Sequence, residues 1–440
     1  MVKAYVSWPF APLTNSLVHK ALQSIDLSID FITKEERDAT KEPLLQWCTY
    51  DDIDHELAHF KRETVLSSSY TFRKALIRKH FLSRVLQSYL TKHPGSVLKD
   101  AVPQTFEIDL SFADELDEMW TDELWELGDK LDSGNTWWIL KPGMSDRGMG
   151  IRLFKSKDNL QEIFESFDED SDEENDEIQN QDEDATAIIT SQLRHFVIQE
   201  YIMTPLLLDP SETMDKSQSN DNLFHLRVYC VSNGDIQLYL YDRILALFSS
   251  AAYQQLDSDD IEDSSKVNLK AHLTNTSLQA ELGESNVRLL DELEGCTVLS
   301  DKKNQRTFEK ADISNLISQV KDVLVETFRA ALQNPVHFQA LPNAFELYGV
   351  DFIVSHNASN SEYPFQAKIL EINAEPAIEL TGPRLTWILE DLFMATAKVC
   401  IAPFFAAREK STDSWKIGEV CHNFIKCMDE DVRGPQRTAI

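Results

Sequence analysis

The chain has 440 residues, 42% hydrophobic and 10% aromatic, enough to bury a large core spread over two or three substructures. A formal net charge of −32 opposes nonspecific attraction to nucleic acid or to an anionic membrane, so neither is expected as a direct partner. No basic-then-apolar leader opens at Met1, no apolar run is long enough to span a bilayer, and the six cysteines lack the paired spacings of a zinc site or a disulfide framework; a cytoplasmic protein with reduced thiols is expected.

In chain order, Ala4 to Val6 reads as a short strand and Leu17 to Ile25 as a helix capped by Asn15 or Ser16, the βα start of an α/β lobe. Between Leu66 and Leu90, the residues Leu76, Phe81, Val85 and Leu86 follow helical spacing, with Arg73, Lys74, Arg78 and Lys79 around them. That basic cluster suits either an anion site or a charged solvent face. Ala101 to Leu110 reads as a strand, and the acidic stretch from Asp114 to Asp129 as a helix ending near Gly128. Trp137 to Leu140 is a buried strand with Lys141 at its end, and a loop carrying Gly143, Gly148 and Gly150 returns into a second strand, Ile151 to Phe154. Such a loop lets backbone amides approach a phosphate, with Lys141 and Arg147 supplying positive charge, although a plain glycine hairpin fits the same residues. Because it joins strand to strand, it is neither a P-loop nor a Rossmann turn, both of which open a helix.

Asp168 to Asp184 is acidic and low in complexity, which predicts a disordered insertion. His195 to Ile202 reads as a strand whose end could border an adenine. Two alternating strands then flank Asn233-Gly234, a two-residue hairpin signal, and alternation puts His225, Arg227 and Tyr229 on one face. Arg227 and Arg243, at the end of the second strand, offer forks for phosphate or carboxylate, or partners for structural salt bridges. His272 to Thr276 reads as a loop, Ile313 to Leu332 as an amphipathic packing helix, and Thr386 to Ile401 as an apolar helix.

The stretch with the sharpest chemistry is a pair of strands, Tyr348 to Val354 and Lys368 to Pro376, joined by turn formers. Alternation puts Glu371 and Asn373 on one face and Leu370 and Ile372 on the other, and an antiparallel hairpin would bring Asp351 beside the first two. Three oxygen ligands suit Mg²⁺, which takes few protein carboxylates and completes its shell with water and phosphate. A solvated strand face has the same pattern.

The ordered set WILKPGMSDRGMGI, VIQEYIMTPLLL, FHLRVYCV, YLYDRI, HLTN, FELYGVDFIV and ILEINAEP resembles the tubulin tyrosine ligase family, a branch of the ATP-grasp ligases, over nearly the whole chain. The resemblance implies an α/β (α+β) ATP-grasp fold with ATP between two antiparallel sheets. A Rossmann-like lobe would cover residues 1–75, a central ATP-grasp domain 76–202 with the acidic insertion 168–184, and a C-terminal domain 203–440 with the Mg²⁺ site. It implies ATP and Mg²⁺ as cofactors and a ligase that adds an amino acid to a protein carboxylate through an acyl-phosphate. On the matching residues, Lys141 and Lys79 (with Lys74 as its rival) would contact the phosphates, and the loop Ser145 to Gly150, with Arg147 and Gly148, would cover them. Gln199, Tyr201 and Ile202 would border the adenine, Asn275 would lie near the γ-phosphate, and Asp351, Glu371 and Asn373 would hold Mg²⁺. Arg227 and Arg243 would act with Glu371 in catalysis, stabilising the acyl-phosphate and the acceptor carboxylate.

The chain departs from the family pattern at Leu223, where a lysine precedes the phenylalanine, and at His225, where tubulin tyrosine ligase has an acidic residue. Lys216, Lys266 and Lys270 are the candidates for replacing the missing cation. The family's default acceptor is the acidic tubulin C-terminal tail, which a chain of net charge −32 repels unless a local basic strip compensates. The chain is also similar to the ligase-like domain of a fungal P-body protein, where that domain follows a SurE-type phosphatase; no such domain is expected ahead of it here. That similarity implies P-body proteins as partners and, as the alternative function, a catalytically weak or inactive nucleotide-binding scaffold.

Overall fold

The computed structural model describes residues 1–110, 113–134, 136–143, 150–172, 195–212, 222–256, 267–274, 286–301, 306–357, 363–376, 378–406 and 415–432, the side chains of 168–172, 379 and 380 excepted. Three sheets carry it. The first is parallel, in the order Ile29–Phe31, Val2–Ser7, Leu44–Cys48, Val65–Ser67. Its helix runs over Pro12–Gln23, so it starts ahead of the expected Asn15 or Ser16, with Ala11 at the cap and the proline in the first turn. Proline fits there because the N–H it lacks has no intrahelical partner in any case and its fixed φ already suits the helix.

Leu17, Val18, Ala21 and Leu22 of that helix share one apolar seam with Trp47 and with Leu389, Leu392 and Phe393 of the helix Thr386–Thr396. Trp47 stacks on Phe393 at 5.7 Å and meets Phe345 edge-on at 5.5 Å, which fastens the parallel sheet to the largest sheet. A second fastening is polar. The single helix expected between Leu66 and Leu90 is instead a strand end, a short turn of helix, Lys74–Ile77, and a helix Lys79–Lys92, with Arg78 extended between them. Ahead of the first of these helical pieces, Arg73 is buried against Glu346, whose carboxylate also accepts from Tyr348 Oη at 2.8 Å and the Tyr70 amide at 3.2 Å. Arg73→Met is expected to destabilise the chain by about 3–5 kcal/mol, because it leaves Glu346 as an unpaired buried charge. Urea denaturation checks this, and the double variant with Glu346→Gln should recover part of the loss.

The second sheet is antiparallel, in the order Thr105–Asp109, His195–Glu200, Trp138–Pro142, Arg152–Phe154. Leu127, Leu131, Phe164 and Phe167 of two helices cover one face. The acidic helix expected to stop near Gly128 is two pieces, Leu116–Met119 and Trp125–Asp132, and the second runs through Gly128, where Lys157 lies 3.1 Å from where a Cβ would sit. The helix Lys157–Asp172 takes in the first five residues of the stretch expected to be disordered, 168–172, and residues 173–184 lie outside the described ones.

The third sheet has nine strands around Asn222–Asn233, which pairs antiparallel with Gln237–Tyr241, Leu245–Ala252 and Phe345–His356. Leu226, Val228 and Cys230 face a core closed by Leu316, Val320, Leu324 and Phe328 of the helix Lys310–Leu332. The opposite face of the strand is left for Leu223, His225 and Arg227. The turn at Asn233-Gly234 has three residues and not two, because Asn233 pairs with Gln237; Gly234 and Ile236 both take positive φ, and the complete burial of Ile236 offsets its strained backbone. Among the described residues no helix is long and apolar enough to cross a membrane.

Candidate active site

The two strands singled out in the sequence form an antiparallel hairpin, Phe345–His356 with Phe365–Ala374, in a register that sets Asp351 opposite Glu371 and Gly349 opposite Asn373. Arg227 on the neighbouring strand is the register partner of Asp351 from the other side. The three oxygen-bearing side chains therefore meet: Asn373 Nδ2 lies 3.3 Å from both Asp351 Oδ2 and Glu371 Oε1. The register slips by one residue at Leu370, and this bulge overrides the expected alternation, so that Leu370 and Glu371 both line the same cavity.

Each carboxylate has a cation. Arg227 grips Asp351 with two parallel bonds, Nε to Oδ1 at 2.5 Å and Nη2 to Oδ2 at 3.0 Å. Lys79 Nζ lies 3.1 Å from Glu371 Oε2, because the break at Arg78 starts its helix there; Lys74, its rival in the sequence, is exposed. Burial raises the Glu371 carboxyl, but the Lys79 and Lys141 ammoniums outweigh it and hold the group well below the usual carboxylate range. Burial pushes Lys141 down to about 8, with Glu371 pulling the other way. Its Nζ donates to Gln199 Oε1 at 2.7 Å, so Gln199, expected at an adenine edge, holds the lysine and in turn donates to Thr105 Oγ1 at 3.2 Å.

Lys141, Gln199, Arg227, Asp351, Glu371 and Asn373 line one end of a cavity of ≈ 310 Å³ between the second and third sheets. Ile139, Ile151, Ile202, Leu223 and Ile353 make its other end apolar. Tyr201 lines it too, its hydroxyl 2.8 Å from His272 Nδ1. Leu223 packs with Ile202, Leu207 and Ile353, and next to it His225 is buried, its Nδ1 2.5 Å from Thr274 Oγ1. A slot that is apolar at one end and cationic and carboxylate-lined at the other has the polarity of a nucleoside polyphosphate with its metal. The donor set fits Mg²⁺: hard oxygens, few of them from protein, and room for phosphate oxygens. Among the described residues no group of three or more His, Cys, Asp or Glu side chains is placed to hold a metal by itself.

The expected residues do not all converge. Arg243 is absent from the cavity wall; its Nη1 bonds Asp391 and, at 3.0 Å, Tyr241 Oη, and its guanidinium lies 5.0 Å from the Trp387 ring. Lys270 is exposed and also absent from the wall. Ser145, Arg147, Gly148, Asn275, Lys216 and Lys266 lie outside the described residues. Sequence reasoning missed the Lys141–Gln199 pair, Thr274 as the partner of His225, and the packing of Pro376 over Gly349. For Thr274 the HLTN letters were the available signal.

A Cβ on Gly349 would fall 2.7 Å from Pro376 Cβ and 3.3 Å from Arg227 Cδ. Gly349→Ala is therefore expected to displace Arg227 or the Pro376 turn, costing about 1–3 kcal/mol of stability and about 10-fold in nucleotide affinity; thermal melts and a nucleotide titration measure both. Two buried histidines, His272 on the cavity wall and His80 next to Lys79 in the chain, contribute to a pH dependence. Burial lowers His80 and His272 to about 4, below their ordinary value of 6.5. Both are neutral in the folded chain at pH 7, and below 6.5 the unfolded chain binds protons that the folded one refuses. Stability is thus complete above pH 6.5 and falls as pH drops toward 4, by about 1.4 kcal/mol per pH unit for each histidine. Urea midpoints at pH 7 and pH 5 should show the decline, and His272→Phe should remove part of it.

The model of the tubulin-tyrosine ligase family matches residues 61–409. The chain belongs to that family. Among its ligase relatives, the probable tubulin–tyrosine ligase PBY1 of Saccharomyces cerevisiae is 37% identical over 437 residues, 97% of this chain and 54% of the yeast protein. The chain thus spans about half the length of that relative. A probable tubulin–tyrosine ligase of Schizosaccharomyces pombe is 35% identical over 387 residues, 84% of this chain and 86% of its own length. The crystal structure of the C-terminal domain from K. lactis Pby1, described as an ATP-grasp enzyme interacting with the mRNA decapping enzyme Dcp2, superposes with a TM-score of 0.62 at 27% identity, covering 98% of this chain and 99% of that one. The fold is ATP-grasp, as the family resemblance implied.

Proposed function

We propose that this tubulin-tyrosine ligase family member is an ATP- and Mg²⁺-dependent carboxylate–amine ligase that joins an amino acid to a protein carboxylate. The observation that carries this is the convergence of Asp351, Glu371 and Asn373 with Lys141 and Arg227 at one end of a cavity whose other end is apolar, with Lys79 paired to Glu371. Asp351, Glu371 and Asn373 would hold Mg²⁺, which would offset phosphate charge as a Lewis acid. Lys141, fixed by Gln199, and Lys79, released from Glu371, would bind and orient the triphosphate. Arg227, anchored on Asp351, would stabilise charge where an acceptor carboxylate attacks the γ-phosphate to give an acyl-phosphate, which the amine of the amino acid then opens with loss of phosphate. Most of the acceleration would come from positioning and charge. Arg243 would serve in this only by leaving Asp391.

The acceptor is proposed as a protein carboxylate, with a tubulin tail peptide as one member of the test panel. The test is ADP release with Mg²⁺–ATP across amino acids and acceptor peptides. Release that requires both an amino acid and an acceptor supports the ligase, and release that requires neither contradicts it.

A second reading, a cytoplasmic nucleotide-binding scaffold within messenger RNA decay assemblies, is favoured by one observation. Leu223 stands where the family pattern has a lysine, and both carboxylates are already neutralised by Lys79 and Arg227. The description of the K. lactis protein as interacting with a decapping enzyme makes such a partner the first to try. Stable partner binding without ATP-dependent turnover would support it.

A further inference from the structure

The charged end of the cavity is walled by Asp351 and Glu371 and, just past them, by Glu375. Arg227 grips the first and Lys79 the second. Glu375 follows the last residue of the strand Phe365–Ala374, and its Oε1 accepts from the backbone N–H of Tyr50 at 3.1 Å. Among the described residues no lysine or arginine lies within ion-pair distance of it. Its charge acts on Arg73, but that guanidinium is paired with Glu346 and lies over the Tyr50 ring at 4.2 Å. Glu375 is thus an exposed carboxylate on the cavity wall with a backbone amide as its partner.

Its backbone is a second sign. Glu375 has φ +54°, in the left-handed region that residues with a Cβ rarely enter and glycine takes freely. Backbone strain held at a position on a ligand cavity points to a task for the side chain it carries. The bond from Tyr50 aims that side chain. Tyr50 is itself fixed by its ring against Arg73 and by Oη donating to Thr71 O at 2.9 Å, and it follows the parallel strand Leu44–Cys48. The cavity therefore meets the first sheet at the carboxyl end of a strand, the edge at which open α/β sheets bind ligands. Charge then selects the ligand. Of the reactants proposed above, the nucleotide and the acceptor carboxylate are anionic, and an uncompensated carboxylate repels both, whereas the amino acid brings an ammonium. We propose that Glu375 binds the α-ammonium of the incoming amino acid and orients it beside the charged end of the cavity. This rests on the ligase reading given above.

The test is equilibrium dialysis of the full chain, with Mg²⁺ and a non-hydrolysable ATP analogue, against a labelled mixture of the proteinogenic amino acids. The retained amino acid is then compared with its α-hydroxy acid, in which a hydroxyl replaces the ammonium, on the wild type, Glu375→Gln and Glu375→Gly. The wild type is expected to bind the hydroxy acid at least about 10-fold more weakly than the amino acid, and both variants to bring that ratio to within about 2-fold. Glycine takes the left-handed turn without strain, so Glu375→Gly keeps the comparison available should Glu375→Gln fold poorly. A ratio unchanged in both variants, or a wild type that binds the ATP analogue but retains no amino acid or does not prefer the ammonium, overturns the role of Glu375 without touching the turnover test of the ligase. Loss of ATP-analogue binding as large as the loss of amino acid binding assigns Glu375 to the metal and overturns its role too. Absence of ATP-analogue binding by the wild type overturns the ligase reading, and the role of Glu375 with it.

Discussion

Glu371→Gln is expected to lower Mg²⁺–ATP turnover by about 10³-fold while the fold persists. The substitution keeps the shape of the side chain and removes the charge that would hold the metal, the charge that also binds Lys79 at 3.1 Å. Lys79 then loses its charged partner on Glu371, so ATP should still bind, with its dependence on Mg²⁺ reduced. Turnover and a Mg²⁺ titration of nucleotide affinity, run side by side, measure the two effects. Turnover equal to that of the wild type would remove Glu371 from the metal site.

Arg227→Leu carries the largest combined effect. The Arg227 side chain, 13% exposed, grips the buried Asp351 at two points, so its removal leaves Asp351 without its charge partner and should cost about 3–5 kcal/mol of stability. Turnover should fall by at least about 10²-fold in the same variant. Arg227→Lys separates the two losses, because an ammonium restores the charge but not the planar fork, and stability should recover further than turnover does. Arg243→Ala provides the contrast: with its guanidinium on Asp391 and Trp387, a stability loss with turnover intact would mark it as structural.

Much of this site was legible in the sequence because strand alternation is a two-residue rule. It placed Glu371 with Asn373 and Asp351 next door, and the pairing of the two strands agrees with it. Lys141 could be read from its position at the end of an apolar strand ahead of a glycine loop. What alternation could not give was the extra residue at Leu370, since a bulge leaves no pattern in one strand read alone. The break at Arg78 was hidden for another reason. Leu76, Phe81, Val85 and Leu86 fit a continuous helix although Arg78 is extended within it, and the ion pair just ahead of it joins Arg73 to Glu346, 273 residues away in the chain. Long-range ion pairs of this kind leave no local trace. The same holds for Arg243, whose sequence position suits a substrate fork but whose side chain is taken by Asp391, 148 residues on.

The most direct test of the account is covalent incorporation. The full chain would be incubated with Mg²⁺–ATP, a mixture of isotopically labelled amino acids and acceptor proteins, and mass spectrometry would locate any added residue and its bond. The account predicts ATP-dependent addition of a single type of amino acid at a carboxylate, absent with Glu371→Gln. Incorporation by the wild type no greater than by Glu371→Gln, with Mg²⁺–ATP bound normally, would contradict it.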